Sequence, residues 1–316
     1  MKCFILSSVV FTLSLYAQDS SVRASTAVDI NGHRLEDGPQ IGQTKSKNSG
    51  ETTERMQSIN GRMVPIERVE EHVLRDDASG RVVERLIRRY DATGNPTTQV
   101  KETIEEQKRA DGGSTIQTTR YEGDINGNQR LIEKSLTDIR KSGSTETSET
   151  VLQRPTLNGS LETVEKKDSV RVKEGTGYRE DSTVSRRDGN GGFGVAVRKT
   201  TEHSEQGGQA TDNTAEYEAG PDGRLQLHGQ SVANAVTRPD GSKEAVVNLF
   251  GRNAPGTVDS DGKLKLFEQQ LIEQKPGAGN TVVETLSVRR PTVSDPNALG
   301  ATKQISETIC KGKCGN

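Results

Sequence analysis

Between Glu122 and Glu133 the chain sets oxygen-bearing side chains at the intervals of a calcium loop. Glu122, Asp124 and Asn126 take its first, third and fifth positions, Gly127 the sixth and Glu133 the twelfth. Calcium wants six to eight oxygens, a glycine where the loop turns sharply and a carboxylate that closes the shell from the far end. Calcium is therefore the one cofactor these residues suggest. The competing reading is a hairpin turn, because Asn126-Gly127 is itself a turn dipeptide and Thr115 to Tyr121 reads as extended. Gly189-Asn190-Gly191-Gly192-Phe193-Gly194 has the glycine spacing that lets a backbone approach a pyrophosphate. That chemistry needs a buried strand before it and a helix after it. Val184 to Arg186 and Val195 to Thr200 supply neither, so the segment reads as a hairpin tip. His33, His72, His203 and His228 stand far apart and give no zinc or nucleophile spacing. Catalysis is thus not expected, with a site assembled across repeats as the alternative.

Two features place the chain. Lys2, the apolar run from Cys3 to Tyr16 and the small residue Ala17 read as a signal peptide over 1–17. The mature chain is then secreted, periplasmic or on the cell surface. In that oxidising setting Cys310 and Cys314 are expected to form a disulfide around a short C-terminal loop.

The elements that would position these residues follow from the turns. Asn-Gly and Asp-Gly dipeptides recur along the chain, as at Asn60-Gly61, Asn158-Gly159 and Asp240-Gly241, and suit two-residue hairpin turns. Repeat starts fall near Val28, Ser58, Asp91, Glu122, Pro155, Asp188, Ala219 and Arg252, a period of about 33 residues. Alternation such as Leu225 with Leu227 and Leu264 with Leu266 fits strands. Arg81 to Tyr90 and Leu131 to Ile139 have helix-compatible spacing, but they share the phase of Thr-rich segments and are read as strands. Leu, Ile, Val and Phe make up just under roughly one-fifth of the chain after Ala17, too few for a thick core. The expected fold is all-β: an elongated antiparallel hairpin repeat array, a curled or twisted extended sheet. A polar, partly disordered segment at 18–57 precedes the repeat domain at 58–290, and 291–316 forms a tail. A transmembrane barrel is set aside, since Glu102 to Arg109 and Ser144 to Glu149 offer no lipid-facing band and no aromatic girdle is evident.

Tyr90, Tyr121, Arg154, Arg187, Tyr217, Phe250 and Arg290 recur at repeat ends. They form either a binding ladder helped by cation–π stacking or large covers for the sheet. Tyr90-Asp91-Ala92-Thr93-Gly94-Asn95 resembles the unit of the YD-repeat (Rhs-type) proteins, and Asp77 to Val82 and Pro221 to Leu225 are similar to its degenerate forms. The resemblance implies a long winding β-sheet in a surface, adhesive or toxin-enclosing protein. With 43 Lys plus Arg against 45 Asp plus Glu, a net charge of -2, nothing favours nucleic acid or an anionic membrane. The expected function is structural or adhesive, toward a surface polymer or protein, without membrane insertion of the mature chain. The alternatives are a secreted enzyme or enzyme accessory and a largely disordered extracellular polyampholyte.

Overall fold

In the computed structural model, residues 51–311 are described except 60, 124–127, 189, 221, 252–263, 279–280 and 293–297. Sixteen strands follow in chain order. They are β1 (Glu51–Ile59), β2 (Arg62–Asp77), β3 (Gly80–Tyr90), β4 (Pro96–Lys108), β5 (Ser114–Gly123), β6 (Gln129–Ser142), β7 (Thr145–Pro155) and β8 (Leu161–Glu174). Then come β9 (Gly177–Arg187), β10 (Phe193–Gln206), β11 (Gln209–Ala219), β12 (Leu225–Thr237), β13 (Lys243–Gly251), β14 (Lys265–Pro276), β15 (Thr281–Arg289) and β16 (Lys303–Lys311). The two segments with helix-compatible spacing are strands β3 and β6.

Each strand pairs antiparallel with its neighbours in sequence, and β1 pairs with β16 from Thr52↔Lys311 to Gln57↔Ser306. The sheet is therefore a closed barrel. This overturns the extended repeat sheet, and the physical reason is edge chemistry. An open sheet leaves a row of unpaired N–H and C=O groups on each edge strand, and closure removes both rows at once. The repeat unit is real as a hairpin, but the hairpins bend round on themselves instead of winding on.

Most turns differ from the expected two-residue Asn-Gly form. Two-residue turns at Ala78-Ser79, Gly143-Ser144, Gly175-Thr176 and Gly207-Gly208 lie at one rim, while Ile59↔Arg62 leaves a two-residue Asn-Gly connection at the other. Asp-Gly and Asn-Gly mostly sit inside five-residue connections, of which 91–95 is typical: Asp91 N donates to Asn95 O at 2.9 Å and Gly94 N to Asp91 O at 2.9 Å. Gly94 carries φ 87, the left-handed conformation that a type I turn followed by a bulge demands. Asp91 Oδ1 caps this loop, accepting from Thr93 N and Asn95 N at 2.8 and 2.9 Å.

A second regularity lies beside the other rim, where β1/β2, β3/β4, β5/β6, β7/β8, β9/β10, β11/β12, β13/β14 and β15/β16 connect. Each of these eight hairpins carries a β-bulge a few residues before its turn, for example between Arg120 and Tyr121 and between Glu216 and Tyr217. A bulge inserts one residue and sharpens local twist and bend. A ring of eight supplies curvature at one level of the wall, and bulges at defined positions are what let sheets curve into barrels.

Candidate functional site: the inner wall of the barrel

Period-two alternation gives every strand an inner and an outer face. The buried residues mark the inner one: Val83 on β3, Glu102 on β4, Leu152 on β7, Val184 on β9, Asp212 and Thr214 on β11, Val247 on β13, Glu268 on β14 and Thr308 on β16. Crowding on the concave side shields these groups, even where they are charged.

From β2 to β7 the inner wall carries a continuous chain of ion pairs. Arg81 Nη2 and Arg85 Nε donate to Glu71 at 3.2 and 2.7 Å. Arg85 Nη1 and Arg120 Nε donate to Glu102 at 3.3 and 2.6 Å. Arg120 Nη1 and Arg154 Nη2 then donate to Glu133 at 3.1 and 3.2 Å. Register brings them together: Glu71↔Arg85, Arg85↔Glu102, Glu102↔Arg120 and Arg120↔Glu133 are direct cross-strand partners. Opposite charges placed so support register, and the guanidinium fork can serve two carboxylates at once.

Further round, Arg171 donates to Glu180 at 2.6 Å and Ser169 Oγ to the same carboxylate at 2.9 Å. The Arg171 guanidinium lies 4.5 Å from the Tyr178 ring centre, and Tyr178 stacks on His203 at 4.8 Å. His203 Nδ1 is 2.7 Å from Asp212 Oδ1, and both side chains are buried. On β12 to β14 the wall turns apolar, with Ala233, Val247 and Leu249 packed with Phe267 and Ile272. Charge returns where Arg290 donates to Glu268 at 2.7 Å.

The outer wall is polar at mid-strand. Lys101 pairs with Glu84 at 2.6 Å and Arg88 with Glu70 at 2.8 Å, while Arg198 pairs with Asp181. Apolar outer positions include the exposed Leu136, Val170 and Val236.

The residues singled out in the sequence divide between these faces. Tyr90, Tyr121, Tyr217 and Phe250 alternate with the inner Arg89, Arg120, Glu216 and Leu249 and so face outward. Arg154 and Arg290 bond inner carboxylates, and Arg187 meets Glu162 at the rim. Of the calcium set, Glu133 is held by Arg120 and Arg154, Glu122 meets Arg130 at 3.5 Å, and Asp124 and Asn126 lie outside the described residues. Among the described residues no cluster of three or more His, Cys, Asp or Glu could hold a metal ion. Cys310 is disulfide-bonded, and Cys314 lies outside the described residues. Sequence reasoning missed Glu71, Arg85, Glu102 and Arg120. Their signal was an Arg or Glu in the middle of successive strands, which becomes a pattern only once the register is known.

No family model matches the chain, and no curated protein is similar to it in sequence. Among solved structures the chain is similar to Salmonella typhi OmpF, in a complex with daunomycin, with a TM-score of 0.51 and 10% identity over 83% of this chain and 96% of that one. At that identity the likeness concerns the fold, which is the closed barrel already traced through the β1–β16 pairing. Together these findings overturn the YD-repeat resemblance and the reading of a secreted repeat sheet with a structural or adhesive role, both of which required an open array. They also correct the setting aside of a membrane-type barrel. That argument rested on the lack of a lipid-facing apolar band and of an aromatic girdle; the mid-strand outer wall is indeed polar, but the strands close and four aromatics share one outer level. A closed barrel accords with the export expected from residues 1–17.

Proposed function

We propose that this chain is a porin-like barrel of the outer envelope, whose charge-lined lumen passes small polar solutes. The observation that carries the reading is the closed ring of sixteen strands with ionised groups on its inner face. Eight strands leave an interior that side chains fill, whereas sixteen to eighteen leave an aqueous channel. Charge on the inner wall fits water there, because ions without water or partners are too costly to keep. The arrangement of rims agrees with this reading: four of the five two-residue connections lie at one end, and β1 begins and β16 ends at that same end. Barrels of outer membranes carry short turns on the periplasmic side.

The outer wall sets the reading's sharpest constraint. A Lys or Arg facing lipid at the bilayer midplane costs about 2–4 kcal/mol. Pairing of Lys101 with Glu84 and of Arg88 with Glu70 offsets part of that cost. The decisive experiment is reconstitution of the refolded full chain into planar bilayers and solute-loaded liposomes. The reading expects discrete conductance steps and release of small polar solutes. A chain that stays soluble and folded without detergent, and gives no conductance, overturns it.

A further inference from the structure

The ion pairs of the inner wall are layered as well as laddered. Partners in register start level with each other on neighbouring strands and both point toward the barrel axis. From that common level an arginine side chain reaches farther than a glutamate, so its guanidinium stands nearer the axis and the carboxylate lies against the wall. Exposure follows this order. The Arg120 side chain is 24% exposed against 4% for Glu102, and Arg186 is 38% exposed against 7% for Glu165. Arg85 and Arg89 on β3, Arg154 on β7, Arg171 on β8 and Arg290 just past β15 are likewise more exposed than the carboxylates they bond. Arg81 with Glu71 is the exception, and it lies beside the rim of the two-residue turns. Glu106 and Glu284 also face inward near that rim, each without a hydrogen-bonded arginine among the described residues. The layering is therefore a property of the middle of the wall.

We infer that this guanidinium layer, backed by carboxylates, makes the lumen selective for small organic anions that carry a carboxylate or a phosphate, an inference that rests on the channel reading above. Charge that sums to nearly zero still acts on a solute when it is layered, because the nearer guanidinium outweighs the carboxylate behind it. The carboxylates hold each arginine in place and offset the repulsion that a bare layer of cations would carry. They do not use up its donors. Arg85 and Arg120 each donate to carboxylates through Nε and Nη1, which leaves Nη2 for a passing solute. The planar fork matches carboxylate and phosphate oxygens in pairs, whereas a lysine layer would meet them only as point charges.

The test measures the reversal potential of the refolded full chain in planar bilayers under a KCl gradient, together with efflux of gluconate, glucose 6-phosphate, glucose and glucosamine from liposomes. These probes share a six-carbon skeleton and differ in charge. The expected reversal potential lies toward that of chloride, with the anions released several-fold faster than glucose and glucosamine released slowest. Preference for one of the two anions alone supports the layer and names the oxyanion it takes. Arg120→Gln combined with Arg154→Gln is expected to bring the reversal potential toward zero, and Arg186→Gln, from another part of the wall, to move it the same way. Glu102→Gln, which removes negative charge from behind the layer, is expected to move it further toward chloride. A folded, conducting parent chain that prefers potassium or has no preference overturns the inference and leaves the channel reading standing. A chloride preference that neither arginine change reduces does the same. A chain without conductance overturns both.

Discussion

Replacing Glu102 by Gln tests whether the inner face is the energetically demanding one. Glu102 is 3% exposed and accepts Arg120 Nε at 2.6 Å and Arg85 Nη1 at 3.3 Å. Removing one partner of a buried ion pair costs about 3–5 kcal/mol when it strands the other charge. Here neither arginine is stranded, because Arg85 keeps Glu71 at 2.7 Å and Arg120 keeps Glu133 at 3.1 Å. The glutamine carbonyl also retains one acceptor. What remains lost is roughly one hydrogen bond between charged groups, about 2 kcal/mol. The outer control is Glu84→Gln, whose partner Lys101 lies at 2.6 Å with both side chains 34% exposed. Exposed pairs of that kind contribute about 0.2–1 kcal/mol. At about 2–4 °C per kcal/mol for chains somewhat smaller than this one, the inner change lowers the midpoint by roughly 4–8 °C and the outer by under about 4 °C. Circular-dichroism melts of both variants, refolded in the same detergent, measure the difference. Equal shifts would refute the assignment of inner and outer faces.

Other outcomes follow from particular contacts. Gly80→Ala brings a Cβ to 1.9 Å from the Glu106 carbonyl oxygen at φ +154, so it should cost about 1–3 kcal/mol or more, whereas Gly143→Ala meets nothing within 4 Å and should cost only about 1 kcal/mol for its φ of +59; denaturant midpoints rank the two. Hydrogen bonds from the Thr93 hydroxyl and then the Asn95 amide hold the Asp91 carboxyl below the usual carboxylate range. Its stabilising contribution is present above about pH 4 and is lost as the pH falls through the lowered folded value. Protection of the Thr93 and Asn95 amides against exchange, corrected for the intrinsic pH dependence of exchange, should therefore fall in acid in the parent chain, and Asp91→Ala should remove that dependence. Mass mapping of the unreduced protein should find Cys310 linked to Cys314; a link to Cys3 instead would show that the leader is retained and tied to β16.

Local chemistry made the hairpins legible. Gly94, Gly143 and their counterparts mark turns because positive φ is costly for other residues, and Val83 and Leu86 gave β3 enough apolar character to compete with a helix. Closure left no local trace. It depends on β1, whose residues Glu51 to Ile59 are mostly polar, meeting β16 across nearly the whole length of the chain. The turn type was misread for a related reason: an Asp-Gly pair serves both a two-residue loop and the bulged end of a five-residue loop, and only the backbone bonds distinguish them. The aromatic and guanidinium column shared a phase in sequence. Alternation along β5 and β7 decides that Tyr121, next to the inner Arg120, faces out, while Arg154, two residues from the inner Leu152, turns in; the extra residues sit on the partner strands β6 and β8. No residue type announces a bulge, so the ion-pair chain through Glu71, Glu102 and Glu133 was invisible until the register was known.

Closure of the ring is the claim on which the lumen and the channel reading depend. It is tested by pairing cysteines across the joint between first and last strands. Met56 and Glu307 are direct partners with both side chains on the outer face, so Met56→Cys with Glu307→Cys should form a disulfide under mild oxidation, read by mass and by mobility on an unreduced gel. Glu70→Cys with Leu86→Cys, direct partners on the outer face of β2 and β3, is the positive control that any hairpin sheet passes. Cross-linking in both pairs is the predicted result. Cross-linking in the control alone, in folded protein, would contradict the barrel and return the chain to an open sheet.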